Sequence, residues 1–325
     1  MPVDLLHQTL KTHFGFDTFR PHQEDIIHHV LDGGHALVIM PTGGGKSVCF
    51  QLPAIIKEGF ALVISPLISL MNDQVRSLRA NGINSGALHS GTSAEESREI
   101  MYHIHNGTLK ILYISPERAL TTKFLEFIAP LKVSLIAIDE AHCVSIWGND
   151  FRPEYAQLPG LMQYFPDVPV LALTATADRA TQEDIRQQLR LKDPKTYLSS
   201  FERPNIQLSV RAGIQRIEQI RDFIKTRKGQ AGIIYCLARK TTESIAETLK
   251  KYGYKAAAYH AEIDNTTRKK VQDDFQFDRL EIVCATIAFG MGIDKPNIRW
   301  IIHYNLPKNI ENYYQEIGRS GRDGQ

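Results

Sequence analysis

The sequence predicts an α/β protein with two tandem domains, each a parallel β-sheet flanked by helices. Short runs rich in Val and Ile, bounded by turn residues, alternate along the whole chain with longer amphipathic stretches. Such alternation is typical of parallel sheets that helices cover on both faces. The 325 residues are also enough for two domains that each bury their own core.

Nine of the apolar runs are predicted to be strands. They are residues 36–40, 61–65, 111–115, 135–139 and 170–174, followed by 232–236, 256–259, 282–285 and 300–304. Residues 199–205 lack periodicity and are interpreted as a linker, which gives predicted domains of 1–205 and 206–325. The second domain ends just after a dense motif at 315–324, so the sequence is interpreted as the core of a longer chain.

The composition is that of a globular protein, with 43% apolar and 23% charged residues, and it argues against wholesale disorder. The four cysteines lie at least 48 residues apart without a C-x-x-C motif, so we expect reduced thiols and no zinc site. No apolar run approaches the ~18 residues of a membrane span, and the first residues lack a signal-peptide pattern. We therefore expect a soluble, intracellular protein.

The overall charge of +2 conceals a difference between the two predicted domains. Residues 1–205 carry 18 basic and 22 acidic side chains, a net −4, whereas residues 206–325 carry 20 and 14, a net +6. A basic face for nucleic acid is one interpretation of the second value, and an ordinary solvated surface is the other.

A phosphate-binding loop is predicted between the first strand and the following helix, in the sequence Met-Pro-Thr-Gly-Gly-Gly-Lys-Ser at 40–47. Its glycines allow successive backbone N–H groups to face one anion. Lys46 is expected to reach the β- and γ-phosphates, and the Ser47 hydroxyl to ligate Mg²⁺. The strict motif has Gly where this chain has Met40. The residues assigned to the loop are Thr42, Gly43, Gly44, Gly45, Lys46 and Ser47.

Two adjacent carboxylates, Asp139 and Glu140, follow another predicted strand. The carboxyl edge of a parallel sheet is where ligands of open α/β proteins bind. Asp139 is expected to hold Mg²⁺, and Glu140 to orient and deprotonate the water that attacks a phosphoanhydride. A helix cap is the alternative interpretation of this pair, and Lys46 in the same chain disfavours it.

Several motifs, in order along the chain, resemble those of the RecQ DNA helicases. They are Phe-Gly-Phe-x-x-Phe-Arg-Pro-x-Gln at 14–23, the loop ending in Lys46 and Ser47, DEAHCVS-x-WG-x-DFRPEY at 139–155, ALTATA at 172–177 and QEIGRSGRDG at 315–324. The resemblance covers nearly the whole chain. It implies two RecA-like domains, with Mg-ATP bound in a cleft and single-stranded DNA crossing both.

The resemblance also implies roles for side chains outside the phosphate loop. Phe16, where the family usually has Tyr, and Arg20 would stack on adenine, and Gln23 would bind the base edge. Asp294 would lie near the ribose or in a hydrogen-bond network. Gln315 would line the cleft, and Arg319 and Arg322 would be arginine fingers that stabilise charge on the γ-phosphate.

Nucleic-acid contacts are likewise assigned from the family pattern. Trp147 and Phe151 would stack on unpaired bases, and Arg152 would follow the backbone or the γ-phosphate, in a loop that couples DNA binding to hydrolysis. Further contacts are expected from segments 65–67, 72–74 and 115–118 and from several single residues. Those residues are Ser65, Ser115, Arg239, His260 and Thr286. The chain departs from the family at Ile146 and Asn149 in the coupling loop and at Glu262, where Gly is usual.

The resemblance implies a 3′ to 5′ DNA helicase with ATP and Mg²⁺ as cofactors, active in recombination and repair. Its expected partners are single-stranded DNA, 3′-tailed or forked duplex and a single-stranded DNA-binding protein. We expect a monomer, cytoplasmic and nucleoid-associated in a bacterium or nuclear in a eukaryote. The two alternatives are a DEAH-type RNA-remodelling ATPase and an ATP-gated DNA clamp that does not unwind. We expect that this chain lacks the zinc-binding and winged-helix module and the small helical DNA-binding domain that are common in the family.

Overall fold

The computed structural model describes residues 3–145, 151–200, 202–287, 289 and 295–325. The chain divides into two compact units, Met1–Phe201 and Glu202–Gln325, called unit 1 and unit 2 below. Each unit is built on a parallel sheet, which confirms the predicted α/β class.

Unit 1 contains a seven-stranded sheet with the strand order β3-β4-β2-β5-β6-β1-β7, and all its strand pairs are parallel. Its strands are β1 (Ala36–Ile39), β2 (Phe60–Ile64), β3 (Ser85–Leu88), β4 (Ile111–Ile114), β5 (Val133–Ile138), β6 (Val170–Thr174) and β7 (Lys195–Leu198). Its helices are α1 (Val3–Phe14), α2 (Gln23–Leu31), α3 (Val48–Ile56), α4 (Ile68–Ala80), α5 (Ala94–His105), α6 (Pro116–Ala119), α7 (Thr122–Ile128), α8 (Leu158–Met162) and α9 (Arg179–Gln188).

Unit 2 contains a four-stranded parallel sheet with the order β11-β8-β10-β9. Its strands are β8 (Ala231–Tyr235), β9 (Ala256–Tyr259), β10 (Ile282–Ala285) and β11 (Ile298–His303). Its helices are α10 (Arg216–Lys225), α11 (Arg239–Lys251), α12 (Asn265–Gln276) and α13 (Ile310–Ile317). At Gly232 a Cβ atom would lie 2.1 Å from the Trp300 ring, so the packing of β11 against β8 requires glycine there.

The apolar strands are buried on both faces because consecutive side chains of a strand point in opposite directions. In β1, Leu37 and Ile39 pack into one core cluster, whereas Ala36 and Val38 pack into another. This explains why the strands are continuous apolar runs rather than alternating ones. Because the strands of unit 1 run parallel, their carboxyl ends lie at one edge of the sheet, where the predicted phosphate loop and carboxylates are found.

Asp and Ser side chains define where several helices begin. Ser93 accepts a hydrogen bond from the Glu96 amide at the start of α5, and Asp178 accepts one from Thr181 at the start of α9. Asp264 caps α12 in the same way. Such caps satisfy amides that have no partner inside the helix.

All nine predicted strands are present, with ends shifted by no more than two residues. Strands β3 and β7, the two edge strands of the unit 1 sheet, are not among the predicted strands. The first, Ser-Gly-Ala-Leu, contains little strand-forming sequence, and the second, Lys-Thr-Tyr-Leu, is largely solvent-exposed. Pairing with a neighbouring strand, rather than local sequence, makes these segments strands.

The division between the units lies a few residues before the predicted boundary at 205. Arg203 donates hydrogen bonds from Nη2 to the carbonyl oxygens of Ser320 (2.9 Å) and Gly321 (2.8 Å), and Asn205 Nδ2 donates to Gly321 O (2.9 Å). These bonds attach residues 203–205 to unit 2. In the part of the chain that the structure describes, no helix is both long and apolar enough to cross a bilayer.

Candidate active site and nucleic-acid interface

The predicted phosphate loop connects β1 to α3 in unit 1. Gly43 and Gly45 have φ angles of 79° and 85°, values that side chains with a Cβ rarely adopt. A Cβ at Gly45 would also lie 2.4 Å from Gln23 Nε2. The Ser47 hydroxyl makes no capping bond to α3. The loop therefore has the backbone conformation that a phosphate nest needs, next to a helix N-terminus.

Lys46 lies along this loop, and its ammonium group donates hydrogen bonds to Met40 O (2.9 Å) and Pro41 O (3.4 Å). Met40 is 1% exposed, packs in the core and donates its amide to Thr174 O (3.1 Å). Position 40 thus continues the strand instead of facing a ligand, which explains why Met can replace the Gly of the strict motif.

Arg20 and Gln23 brace the phosphate loop. Gln23, which is 4% exposed, accepts a bond from the Arg20 amide (2.8 Å) and donates one to Gly45 O (3.0 Å). The Arg20 guanidinium donates to Gly43 O. Phe16 is 51% exposed. The sequence analysis missed this bracing role, and adenine recognition by the three side chains stays a prediction.

The two predicted carboxylates follow β5, which lies between β2 and β6. Asp139 accepts hydrogen bonds from the Ser65 hydroxyl (3.4 Å) and from the Glu140 amide (3.0 Å). Burial and the neighbouring Glu140 charge raise the pKa of Asp139 to about 7, although Lys46 acts in the opposite direction. Glu140 has φ 49° and ψ 46°, which is a left-handed conformation. This conformation is strained for a residue with a side chain, and such strained residues are frequent at functional sites.

His142 links this pair of carboxylates to the end of β6. Its Nδ1 lies 2.8 Å from the Thr174 hydroxyl and 3.4 Å from Glu140 Oε2. The Thr174 hydroxyl donates its proton to Thr176 O (2.9 Å), so it accepts from His142, and Nδ1 carries the ring proton. Residues of the DEAH and ALTATA motifs are therefore hydrogen-bonded to each other.

Tyr155 connects the backbone of Asp139 to the predicted coupling loop. It is fully buried and donates its hydroxyl proton to Asp139 O (3.0 Å), and burial raises its pKa. The Arg152 amide donates to Cys143 O (2.9 Å), and Phe151 is 39% exposed. Trp147 and the departures Ile146 and Asn149 lie outside the described residues. The sequence contained no local signal for the Tyr155 bond.

The predicted arginine fingers follow α13 in unit 2. Arg319 is 8% exposed and hydrogen-bonds the Tyr235 hydroxyl; burial raises the pKa of that tyrosine, whereas the positive charge of Arg319 lowers it. Glu316 Oε2 lies 2.7 Å from His303 Nε2, whose ring stacks on Tyr235. Tyr235, His303 and Glu316, which the sequence analysis did not single out, therefore fix the end of the helix that presents Arg319.

The segment that carries Arg322 is held from two sides. Gly321 has φ 54°, and a Cβ there would lie 2.5 Å from Asn205 Nδ2. Arg299 donates two hydrogen bonds to the Asp323 carboxylate, at 2.8 and 2.6 Å. This bidentate pair lowers the pKa of Asp323 to about 2.

Replacing Asp323 with Asn should lower the stability of unit 2 at pH 7 by about 1 kcal/mol, because a bidentate ion pair is lost. The native pKa lies below the unfolded value of about 3.9, so this contribution is present above pH ~4 and disappears as the pH falls toward 2. Urea unfolding of parent and variant between pH 7 and 2.5 measures it. A stability difference that stays constant over this range would contradict the assignment.

The predicted DNA contacts differ in exposure. Ser65 (1% exposed), Ser115 (8%) and His260 (3%) are almost fully buried, and the Ser65 hydroxyl bonds Asp139. Arg239 is exposed and Thr286 is partly buried. The DNA contacts of these five residues stay predictions. For the buried Ser65, Ser115 and His260, a direct contact with DNA would use backbone groups. Asp294 lies outside the described residues.

The structure joins two of the predicted unit 1 segments through a histidine that the sequence analysis missed. His89 Nδ1 accepts from the Gly91 amide (3.0 Å), so Nε2 carries the proton and donates to Asn72 Oδ1 (3.1 Å). Arg118 donates to His89 O (3.1 Å) and to the Ser97 hydroxyl (3.2 Å). Segments 72–74 and 115–118 therefore belong to one hydrogen-bonded edge.

Comparison with known proteins gives matches over both units. Residues 20–185 match the DEAD/DEAH box helicase family, and residues 215–324 match the helicase conserved C-terminal domain. The chain is 52% identical over 314 residues to the ATP-dependent DNA helicase RecQ of Haemophilus influenzae. The aligned region covers 97% of this chain and 51% of that protein. The chain is 42% identical over 330 residues to the ATP-dependent helicase SGS1 of Saccharomyces cerevisiae, covering 98% and 22%. The chain thus spans about half the length of the first curated relatives or less.

Solved structures show the same fold at low sequence identity. DEAD-box helicase Mss116 bound to ssRNA and UDP-BeF aligns with a TM-score of 0.78 and 21% identity, covering 98% of this chain and 71% of that one. Mycobacterium smegmatis helicase Lhr bound to ssDNA and AMP-PNP aligns with a TM-score of 0.75 and 22% identity, covering 98% and 46%. Two RecA-like α/β domains, as the sequence analysis expected, are the fold that these similarities establish.

Proposed function

The chain belongs to the RecQ family of ATP-dependent DNA helicases, and from this premise we propose that it hydrolyses Mg-ATP to move 3′ to 5′ along single-stranded DNA and to unwind duplex. One observation in particular supports the ATPase part. The phosphate loop and the Asp139–Glu140 pair follow strands β1 and β5, Thr174 ends the strand β6 that lies between them, and the charge of Lys46 influences Asp139. The cation and the carboxylate to which we assign phosphate binding and water activation thus lie at the edge of the sheet where ligands of open α/β proteins bind.

In this proposal the site residues of unit 1 have different roles in binding and hydrolysing ATP. Lys46 exchanges its two carbonyl partners for β- and γ-phosphate oxygens. Glu140 orients and deprotonates the attacking water, while His142 limits where its carboxylate can lie. Asp139 and Ser47 offer the carboxylate and hydroxyl oxygens that Mg²⁺ prefers, so they would hold the ion, which neutralises phosphate charge when bound.

Arg319 and Arg322 are proposed to act on the γ-phosphate, where their guanidinium groups stabilise charge that develops during transfer, and Gln315 is proposed to line the same site. The bonds to Tyr235 and the attachment of residues 320–323 support this role, because a preorganised guanidinium costs little reorganisation during the reaction. Bases are proposed to stack on Trp147 and Phe151, with Arg152 on the backbone.

The proposed setting follows the family. We propose that the chain acts as a monomer on single-stranded, 3′-tailed or forked DNA in recombination and repair, with a single-stranded DNA-binding protein as a partner. Its compartment would be the bacterial cytoplasm, near the nucleoid, or the eukaryotic nucleus.

The test compares ATP hydrolysis without nucleic acid, with single-stranded DNA and with single-stranded RNA of the same length. We expect slow basal hydrolysis that DNA stimulates strongly and RNA does not. Strand separation on a 3′-tailed duplex should exceed that on a 5′-tailed one. Equal stimulation by RNA would favour an RNA-remodelling ATPase, and stimulation without strand separation on either tail would favour the DNA clamp.

A further inference from the structure

Two carboxylates lie at the carboxyl edge of the unit 2 sheet, each bonded to a residue that the family pattern assigns to DNA. Glu262, in the turn between β9 and α12, forms an ion pair with Arg239, the first residue of α11. Glu243, also on α11, lies 3.0 Å from Nε2 of His260. Arg239 and His260 therefore both contact acidic side chains of the same chain.

The two pairs differ in how easily a ligand could replace the carboxylate. His260 is 3% exposed, so its bond to Glu243 is enclosed by protein. In the other pair the side chains of Arg239 and Glu262 are 52% and 65% exposed. Exposed ion pairs are weak, because water solvates both charges and both long side chains keep other conformations. The Arg239–Glu262 pair can thus open without disturbing the fold.

We propose that Glu262 is an internal competitor of DNA phosphate for Arg239 and so sets the affinity of unit 2 for single-stranded DNA. The inference rests on the proposed function, since it takes Arg239 as a phosphate contact. A carboxylate and a phosphate both match the planar fork of a guanidinium, so the same donors serve either acceptor. Binding of DNA requires the Arg239–Glu262 pair to break, and the released Glu262 charge then lies close to the phosphate and repels it.

Two consequences distinguish this arrangement from a general effect of net charge. Removing the Glu262 charge should raise the affinity for single-stranded DNA only while Arg239 is present, because the N–H donors that it frees are those of Arg239. The benefit should also decline with salt, because an added phosphate contact steepens the log–log salt dependence by about 0.7 on a single strand.

The experiment measures binding of a fluorescent oligothymidylate by anisotropy at 50, 100 and 200 mM NaCl. Glu262→Gln, which keeps the side-chain size, should bind about three- to tenfold tighter than the parent at 50 mM, with a smaller gain at 200 mM. Arg239→Ala should bind more weakly, and adding Glu262→Gln to it should restore less than a third of that gain. Glu247→Gln is the matched control, because Glu247 forms a similarly exposed pair with Lys250 near the other end of α11.

Equal affinities of parent and Glu262→Gln would overturn the inference, and an equal gain from Glu247→Gln would do so as well, since net charge would then suffice. In both cases DNA-stimulated hydrolysis by the parent leaves the proposed function standing. If the variant binds the oligonucleotide and the parent does not, the inference is supported. If neither binds it at any salt concentration, both the inference and the proposed DNA-dependent function fail.

Discussion

Lys46→Ala should reduce kcat/KM for ATP hydrolysis by about 100- to 1,000-fold while leaving the affinity for single-stranded DNA within about twofold of the parent. The lost ammonium is the only charged group in the sequence of residues 40–47, and in the structure it donates hydrogen bonds to the carbonyl oxygens of residues 40 and 41. An alanine at this position leaves the loop backbone and the Arg20 and Gln23 bonds in place. Steady-state hydrolysis with DNA at saturation measures the effect.

Lys57→Ala is the matched control, because Lys57 follows the same helix α3 at its other end, away from the phosphate loop. Its hydrolysis rate should stay near that of the parent. A Lys46→Ala protein that still hydrolyses ATP at a tenth of the parental rate would contradict the assignment. Loss of DNA binding in that variant would show that the phosphate loop and the DNA surface are not separate.

The central strands of the sheets were predictable from sequence because a strand that is buried on both faces must be a continuous apolar run. Leu-Ile-Ala-Ile before Asp139, for example, is an uninterrupted apolar run that enters two core clusters by alternation. The edge strand β7 leaves no such record, since only Tyr197 of its four residues is buried. Its pairing with β1 depends on hydrogen bonds between segments more than 150 residues apart, which no local pattern encodes.

The candidate site likewise has features that local sequence predicts and features that it does not. The proposed phosphate loop and the Asp139–Glu140 pair are contiguous motifs, so their residue types and spacing are enough to put them forward as candidates without the fold. The bonds from Gln23 to Gly45, from His142 to Thr174 and from Arg319 to Tyr235 join segments that are distant in sequence. Each bond depends on which segments the fold brings together, and no single motif encodes that.

Arg319→Ala should lower kcat by about 1,000-fold, with a much smaller change in KM for ATP, because a guanidinium that stabilises developing phosphate charge matters most in the transition state. Arg319→Lys should recover little of this activity, since an ammonium keeps the charge and loses the planar fork that faces a phosphoryl group. Single-turnover hydrolysis with saturating ATP and DNA separates the chemical step from binding. Arg322→Ala should show the same split between kcat and KM.

Arg319 could instead support the fold of unit 2, and its bond to Tyr235 makes this alternative testable. Arg319 is 8% exposed and bonded to Tyr235, so its removal also weakens the packing of unit 2. Tyr235→Phe removes the hydroxyl bonds to Arg319 and to Phe289 O (3.0 Å) while keeping the ring that stacks on His303. If Arg319 stabilises the transition state, Arg319→Ala loses far more kcat than Tyr235→Phe at equal thermal stability. If the two variants lose kcat in parallel with their melting temperatures, Arg319 supports the fold of unit 2 and is not an arginine finger.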